Sequence, residues 1–214
     1  MRKYLEIGGA VATVVLIAFG VVAIALGVNG RNTVRDSLKA EQIVGTPDMT
    51  KAGIATEAKS AGLPPSIKLP TANIAGKAIV TGALARDFAK YMRIHALEAA
   101  GGLTYAQMPR FASPDGKGTN DATKATKGGN GQPLDNPIRN VWVTETALTT
   151  ALNASYLAEN VALFGIITGI AFLLSGIGFG ILVLFGSLRG REAAFRPFGK
   201  RTSEASGRKT VPVA

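Results

Sequence analysis

The sequence predicts an all-α membrane protein: a two-helix transmembrane hairpin whose long second helix extends into a small extracytoplasmic helical cap. Two long runs without a charged residue, 7–28 and 161–188, are the first observation behind this fold class. The second is the polar stretch between them, which is rich in Ala and Gly and punctuated by helix caps, glycines and prolines. The third is a helical spacing of apolar residues just before the second run.

The first uncharged run is long enough to cross a bilayer. Its 22 residues contain one polar side chain, Thr13, and reach about 33 Å as a helix, against a hydrocarbon core of about 30 Å. A cleavable signal peptide is the alternative, because Arg2 and Lys3 form a basic start and residues 23–25 have a cleavage-like small-residue spacing. Signal-peptide cores are usually about 7–15 residues long, so we predict an uncleaved anchor.

The second uncharged run, residues 161–188, is interrupted only by Thr168, Ser175 and Ser187. Neither run contains an ionisable side chain, and transporters and proton relays generally need one inside the membrane. We therefore expect two anchoring spans with no ion pathway between them.

The distribution of basic residues predicts the orientation. Residues 140–160, before the second run, contain no Lys or Arg, whereas basic residues follow that run directly. Because positive residues stay on the cytoplasmic side, both termini are expected in the cytoplasm and the central domain outside the cell membrane. Arg31, Arg35 and Lys39 favour the opposite orientation, but long loops translocate with little regard to charge.

These observations divide the chain into five parts. The predicted parts are a cytoplasmic N-terminus (1–6), a first transmembrane helix (7–28), an extracytoplasmic helical domain (29–160) with a flexible loop (112–133), a second transmembrane helix (161–188), and a basic cytoplasmic tail (189–214) predicted to be disordered. The loop is predicted to be mobile because it holds no large apolar residue to offset its conformational entropy.

Helix signals divide the outer domain further. Thr33, Thr50 and Thr81 are each predicted to cap a short helix, and these helices are expected to end near residues 44, 62 and 101. An Asn-Pro pair before residue 138 predicts the start of one long helix over about 137–188.

Small residues recur along both spans. In the second span, Gly165 and Gly169 form one GxxxG pair, and Gly176 and Gly180 form another. Small side chains four residues apart allow two helices to approach closely and gain van der Waals contact. The pairs predict packing against the first span of the same chain, which we favour, or contact with a second copy or another membrane-complex partner.

The C-terminal tail is a candidate lipid-binding segment. The residues assigned to the anionic inner leaflet are Arg189, Arg191, Arg196, Lys200 and Arg201. Attraction to anionic lipid is worth roughly 1 kcal/mol per basic residue near the surface. The simpler interpretation, which we favour, is that these charges only set the orientation. Nucleic acid is not an expected partner, because the net charge of +10 is divided between the tail and the long outer segment.

Residues that carry chemistry are few. The chain has no cysteine, which excludes disulfides, cysteine-ligated zinc and iron–sulfur clusters, and it has one histidine, His95. Tyr91, His95 and Glu98 lie on adjacent turns of one helix and form the pocket candidate. A metal site needs three or four ligands, and no second histidine is present to complete one. We therefore predict no catalytic residue, metal or cofactor, and expect His95 at a helix–helix contact.

A resemblance is carried by four runs: VGTPDMT near residue 48, YMRIHALEAAGGLTYAQMPRF, NPIRNVWVTETALTTALNASY and ENVALFGIITGIAFLLSGIGFGILVL. The chain resembles, over most of residues 1–190, a family of uncharacterised actinobacterial two-span membrane proteins. The resemblance implies two spans and an outer domain. Some members carry an automatic name that implies an aromatic-ring-opening dioxygenase. The residues here do not support that chemistry, because a non-haem iron site usually needs two histidines and a carboxylate.

These observations favour three functions in turn. The first is a non-enzymatic structural or interaction protein of the bacterial cell envelope, acting through its extracytoplasmic helical domain. The second is an accessory subunit or sensor of a membrane complex that binds an envelope ligand. The third is an enzyme that uses paired carboxylates, and we predict that the chain is not an enzyme. A deep pocket around the candidate residues would favour the second or third function over the first.

Overall fold

The computed structural model describes residues 2–194, with side chains described for residues 3–186. It contains four helices: α1 (Arg2–Ala40), α2 (Lys51–Ser60), α3 (Gly82–Ala99) and α4 (Pro137–Ala194). Within this range the connections contain isolated β-bridges but no strand, so the predicted all-α class is confirmed. The chain divides into two compact units, one combining Met1–Val21 with Ala171–Ala214 and the other formed by Val22–Ile170.

Two of the helices are long and apolar enough to cross a membrane, over Lys3–Ala40 and Pro137–Gly186. Only 11% of the residues in the apolar window of each helix are buried. The core helix of a soluble protein buries most of its apolar surface, whereas these two helices expose theirs. Exposed apolar surface of this extent indicates contact with lipid or with another protein.

Within the described part of the first unit, α1 and α4 pack antiparallel through small residues. A Cβ atom at Gly176 would lie 2.8 Å from Ile17 Cγ1, and one at Gly180 would lie 3.1 Å from Thr13 Cγ2. The Thr13 hydroxyl donates to the carbonyl oxygen of Gly9 at 2.8 Å, which satisfies it inside its own helix. Glycine is needed at position 176 because any side chain there would force the backbone of Ile17 away.

The second unit contains another close approach of the same two helices. A Cβ atom at Gly27 would lie 2.6 Å from the carbonyl oxygen of Ala162, and one at Gly165 would lie 3.9 Å from Gly27 Cα. Gly169, one turn beyond Gly165, is buried. Gly165, like Gly176, thus contacts α1 of the same chain, while formation of a homo-oligomer remains a prediction.

The sequence predicts that the first helix ends after its apolar run and that Thr33 caps a new one. Helix α1 instead continues past the end of that run. It continues to Ala40, and Thr33 Oγ1 donates to the carbonyl oxygen of Asn29 at 3.0 Å. The hydroxyl therefore bonds back into the same helix instead of capping another. The prediction of a separate helix is wrong because residues 29–33 contain no proline, and their one glycine costs a helix only about 1 kcal/mol.

The core of the second unit forms around α2, α3 and the first part of α4. Thr50 and Thr81 cap α2 and α3 as predicted, and each hydroxyl accepts a backbone N–H of the first turn. Trp142 of α4 is 2% exposed, and its Nε1 donates to the carbonyl oxygen of Leu103 at 3.0 Å. Full burial of a large apolar side chain contributes roughly 1.5–3 kcal/mol. The largest fully buried side chains are Tyr91, Ile54, Ile74, Ile79 and Ile94.

Helix α4 begins where the Asn-Pro pair predicts. Asn136 Oδ1 accepts the N–H of Ile138 at 3.1 Å, which satisfies a donor of the first turn. The helix then runs without interruption to Ala194.

Residues 112–133, predicted to be a flexible loop, are arranged in hydrogen-bonded turns. The N–H of Thr126 donates to the carbonyl oxygen of Ala112, and the N–H of Leu134 donates to that of Thr126. Ala125 is buried between these turns. The mobility of the loop remains a prediction, which hydrogen exchange of its amides would test.

Candidate functional site

The single histidine lies on α3 among three carboxylates. His95 Nδ1 is 2.6 Å from Glu57 Oε1, and Nε2 is 3.4 Å from Asp48 Oδ2. Helix α2 positions Glu57 next to its buried residue Ile54. One ligand atom each from Glu57, His95 and Glu98 lie within 4.8 Å of one another, a spacing that could hold a metal ion. We call Asp48, Glu57, His95 and Glu98 the histidine cluster.

The histidine cluster carries an excess of negative charge. Burial raises the pKa of Glu57, and the neighbouring Glu98 adds to the shift, while His95 opposes it. The pKa of Asp48 is lowered, chiefly by a hydrogen bond with the Thr46 side chain. Among the described residues, no Lys or Arg forms an ion pair with any of these three carboxylates.

Tyr91, the third member of the predicted pocket, lies apart from the cluster. It is fully buried, and its hydroxyl donates to the carbonyl oxygen of Ala72 at 3.0 Å. The structure thus brings His95 and Glu98 together but assigns Tyr91 to the core. Sequence reasoning missed Glu57, which is 38 residues from His95. One signal for Glu57 was available in the sequence: it lies beside Ile54 and Ala58, the apolar positions that α2 buries.

Asp87 of α3 is buried and fully satisfied. Its carboxylate accepts the N–H of Thr71 at 3.0 Å, the Thr71 hydroxyl at 2.9 Å and the Lys90 ammonium at 3.0 Å. Burial alone would raise the pKa of Asp87, but the bonds from Thr71 and Lys90 outweigh it and the pKa is lowered. This carboxylate holds the segment before α3 in place and has no free position for chemistry.

Glu159 of α4 joins three helices. Its Oε1 accepts from Arg31 Nε at 3.0 Å and from Arg35 Nε at 2.8 Å, both on α1, and its Oε2 accepts the first N–H of α3, at Gly82, at 2.6 Å. Burial would raise the pKa of Glu159, but the Gly82 N–H and the two guanidinium groups outweigh it and lower the pKa. A Cβ atom at Gly82 would lie 2.8 Å from Tyr156 Cα, so only glycine allows this approach. We call this arrangement the Glu159 clasp.

Glu145 of α4 is buried with incomplete hydrogen bonding. Its side chain is 2% exposed; Oε2 lies 3.3 Å from Arg93 Nη1, and Arg93 stacks on Trp142 at 3.9 Å. Its Oε1 is buried and has no hydrogen-bond partner in the described part of the chain. Glu145 also lines two cavities between α3 and α4, of about 330 and 540 Å³. The sequence signal was its position three residues after Trp142, in the segment where apolar residues recur at helical spacing before the second uncharged run.

A recess of about 440 Å³ opens at the start of α4. The Arg139 guanidinium stacks on Tyr105 at 4.1 Å, and that of Arg110 lies 5.0 Å from the Phe111 ring. Neither arginine forms an ion pair among the residues that the structure describes. We call this the distal recess; its lining residues are Tyr105, Arg110, Asp135, Asn136, Arg139, Asn140 and Val143.

The basic tail is only partly within the described range. Arg189 and Arg191 lie on the final turns of α4. Arg196, Lys200 and Arg201 lie outside the described residues. Contact of these five residues with anionic lipid therefore remains a prediction.

Comparison with known proteins supplies no template for these sites. No protein-family model matches the chain, and neither a curated protein nor a solved structure shows significant similarity to it.

Proposed function

We propose that this chain is a non-enzymatic interaction protein of a bacterial cell envelope. In this proposal residues 7–28 and 161–188 form a transmembrane hairpin with both termini in the cytoplasm. Residues 29–160 form an extracytoplasmic helical domain that contacts a partner. The exposed apolar surface of α1 and α4 supports the anchoring part of the proposal.

The distal recess is the observation that carries the interaction role. Tyr105 is 44% exposed and Val143 is 56% exposed, beside two arginines without ion pairs. Tyrosine and arginine are enriched among residues that dominate binding energy at interfaces. At about 1.5 Å per residue, α4 places position 143 about 27 Å from the start of the apolar run. The recess is thus suited to a partner that presents acidic and aromatic groups away from the membrane surface.

Site-specific photo-crosslinking in native membranes tests this role. A photoreactive amino acid at Val143 should capture a discrete partner, whereas one at Val44, which is similarly exposed at 53%, should not. The Arg139→Glu variant should reduce capture at position 143 about tenfold, which corresponds to about 1.4 kcal/mol of binding free energy. Equal capture at the two positions, or capture unaffected by Arg139→Glu, would refute the proposal.

The second candidate is an accessory subunit or sensor, in which the domain binds an envelope ligand and relays it through the spans. The Glu159 clasp favours this candidate because it ties the start of α3 to both long helices. Deleting residues 189–214 should then abolish the response while the partner is still captured. A response that survives the deletion would remove the basis for a relay.

Protease access tests the proposed orientation. The turns of residues 112–133 should be cut in intact cells by protease added outside. Cleavage only in inverted membrane vesicles would place the domain in the cytoplasm and overturn the orientation.

A further inference from the structure

We propose that Glu57, His95 and Glu98 form a binding site for a divalent transition-metal ion. The proposal is independent of the interaction role at the distal recess. The histidine cluster has no role in that proposed function.

The three side chains come from two helices that the core holds in place. His95 and Glu98 are three residues apart on α3 and therefore share a face, while Glu57 reaches them from α2. Ile54 and Ile94, on the two helices, are completely buried in the same apolar cluster. Ligands on packed helices are positioned more accurately than ligands on loops.

The spacing of the ligand atoms fits one bound ion. Nitrogen and oxygen ligands lie about 2.0–2.2 Å from zinc, so two ligands of one ion are at most about 4.4 Å apart. The three ligand atoms lie within 4.8 Å of one another, so the pair furthest apart needs to close by no more than about 0.4 Å. An ion between His95 Nδ1 and Glu57 Oε1, now 2.6 Å apart, requires these two atoms to separate by less than about 1.5 Å.

The imidazole is placed as a metal-bound histidine would be. A neutral imidazole carries one N–H, yet His95 directs both of its nitrogens toward carboxylate oxygens. If Nε2–H faces Asp48 Oδ2 at 3.4 Å, then Nδ1 presents a lone pair to Glu57 Oε1. A cation at this position removes the repulsion between the two lone pairs. A carboxylate on the far nitrogen is also the usual way in which proteins orient a metal-binding histidine.

A neighbouring cavity reaches the histidine cluster at His95. The cavity of about 540 Å³ between α3 and α4 has both His95 and Glu145 in its wall. The side chain of Glu145 is 98% buried, and its Oε1 has no partner among the described residues. This oxygen is an acceptor without a donor, and the cavity leaves room for water beside His95, the residue that the cavity shares with the histidine cluster.

The ligand types indicate which ions the site would select. One imidazole with two carboxylates suits zinc, cobalt, nickel, manganese or ferrous iron. Calcium and magnesium prefer all-oxygen sites with more ligands. We therefore expect Zn²⁺ and Co²⁺ to bind and Ca²⁺ and Mg²⁺ to compete poorly.

Metal titration of the full-length protein in lipid nanodiscs tests the site. Zn²⁺ should bind at one site per chain by calorimetry, and Co²⁺ should give a visible absorption band that Zn²⁺ displaces. Removing one ligand, in His95→Gln or Glu98→Gln, should weaken Zn²⁺ binding at least about 100-fold. Asp48→Asn, which changes only the partner of the far nitrogen, should weaken it about tenfold.

The controls separate loss of the site from loss of the fold. Glu98 is exposed, so Glu98→Gln should keep the melting temperature of the metal-free protein while losing zinc. Asp36→Asn, on an exposed side chain of α1, should change neither. The absence of saturable Zn²⁺ and Co²⁺ binding would overturn the proposal. So would wild-type affinity in both His95→Gln and Glu98→Gln, or Ca²⁺ binding as tight as Zn²⁺ binding.

Discussion

Replacing Glu159 by alanine should loosen the start of α3, because one carboxylate joins that helix to α1 and α4. The bond to the Gly82 N–H acts as a helix cap, and losing a cap costs about 0.5–2 kcal/mol. The Arg31 and Arg35 side chains are 39% and 34% exposed, so water screens them and each contributes only about 0.2–1 kcal/mol. The expected loss is therefore about 1–4 kcal/mol in the free energy of opening the first turn of α3.

Hydrogen exchange of the protein in nanodiscs measures this loss directly. A change of about 1–4 kcal/mol lowers amide protection about 5- to 1000-fold, and the amides of Leu84 and Ala85 in the first turns of α3 should report it. Glu159→Gln keeps an acceptor for the Gly82 N–H and should lose less protection than Glu159→Ala. Asp36→Asn on α1 should leave these amides unchanged. Less than a twofold change in Glu159→Ala would refute the assigned role of the clasp.

The clasp also predicts a dependence on pH. The pKa of Glu159 in the folded chain lies below its ordinary value of 4.5, because the folded chain stabilises the ionised form. Its contribution is therefore fully present above about pH 4.5 and is lost as pH falls through the lowered pKa. Protection of the first turn of α3 should fall over this acidic range in the wild type. Glu159→Gln should lack that part of the pH dependence.

Three further outcomes follow from other buried groups. Asp87→Asn should destabilise the domain by about 2 kcal/mol in a denaturant titration, since the carboxylate accepts from Thr71 and Lys90 at three bonds of about 3 Å. Glu145→Gln should change stability by less than about 1 kcal/mol in the same titration, because Oε1 has no hydrogen bond to lose and the Gln carbonyl still accepts from the half-exposed Arg93. Gly176→Val should lower the melting temperature in detergent by several degrees, because its side chain would overlap α1; an unchanged melting temperature would show that the contact is dispensable.

Sequence reasoning succeeded where the determining contacts are local. Thr50 and Thr81 cap their helices through bonds that span three residues, and such signals are visible in a short stretch of sequence. The start of α4 at Pro137 depends on Asn136, which is equally close. The presence of two helices that can cross a membrane follows from the uncharged runs, because length and composition suffice to recognise such a helix.

The partners of the charged residues could not be predicted, because they come from distant parts of the chain. Glu159 lies 128 residues from Arg31, and Glu57 lies 38 residues from His95. A linear pattern shows that Arg31 follows an apolar run but not which carboxylate it meets. The same limit explains the prediction of a break in α1 near Thr33, since the hydroxyl signal that precedes a new helix also occurs inside a continuous one.

The position of Glu159 in the chain has a consequence for biosynthesis. Arg31, Arg35 and Gly82 are translated before Glu159. The first N–H of α3 therefore gains this acceptor only after 77 further residues have been made. Leu152, which completes the apolar cluster around α3, also emerges late. In a ribosome-bound chain that stops before this point, the Gly82 N–H lacks its Glu159 acceptor and the core is open, although Thr81 still caps α3. The apolar cluster around α3 is therefore completed only after the first part of α4 has been made, and nascent chains halted earlier should be the ones that chaperones and proteases engage.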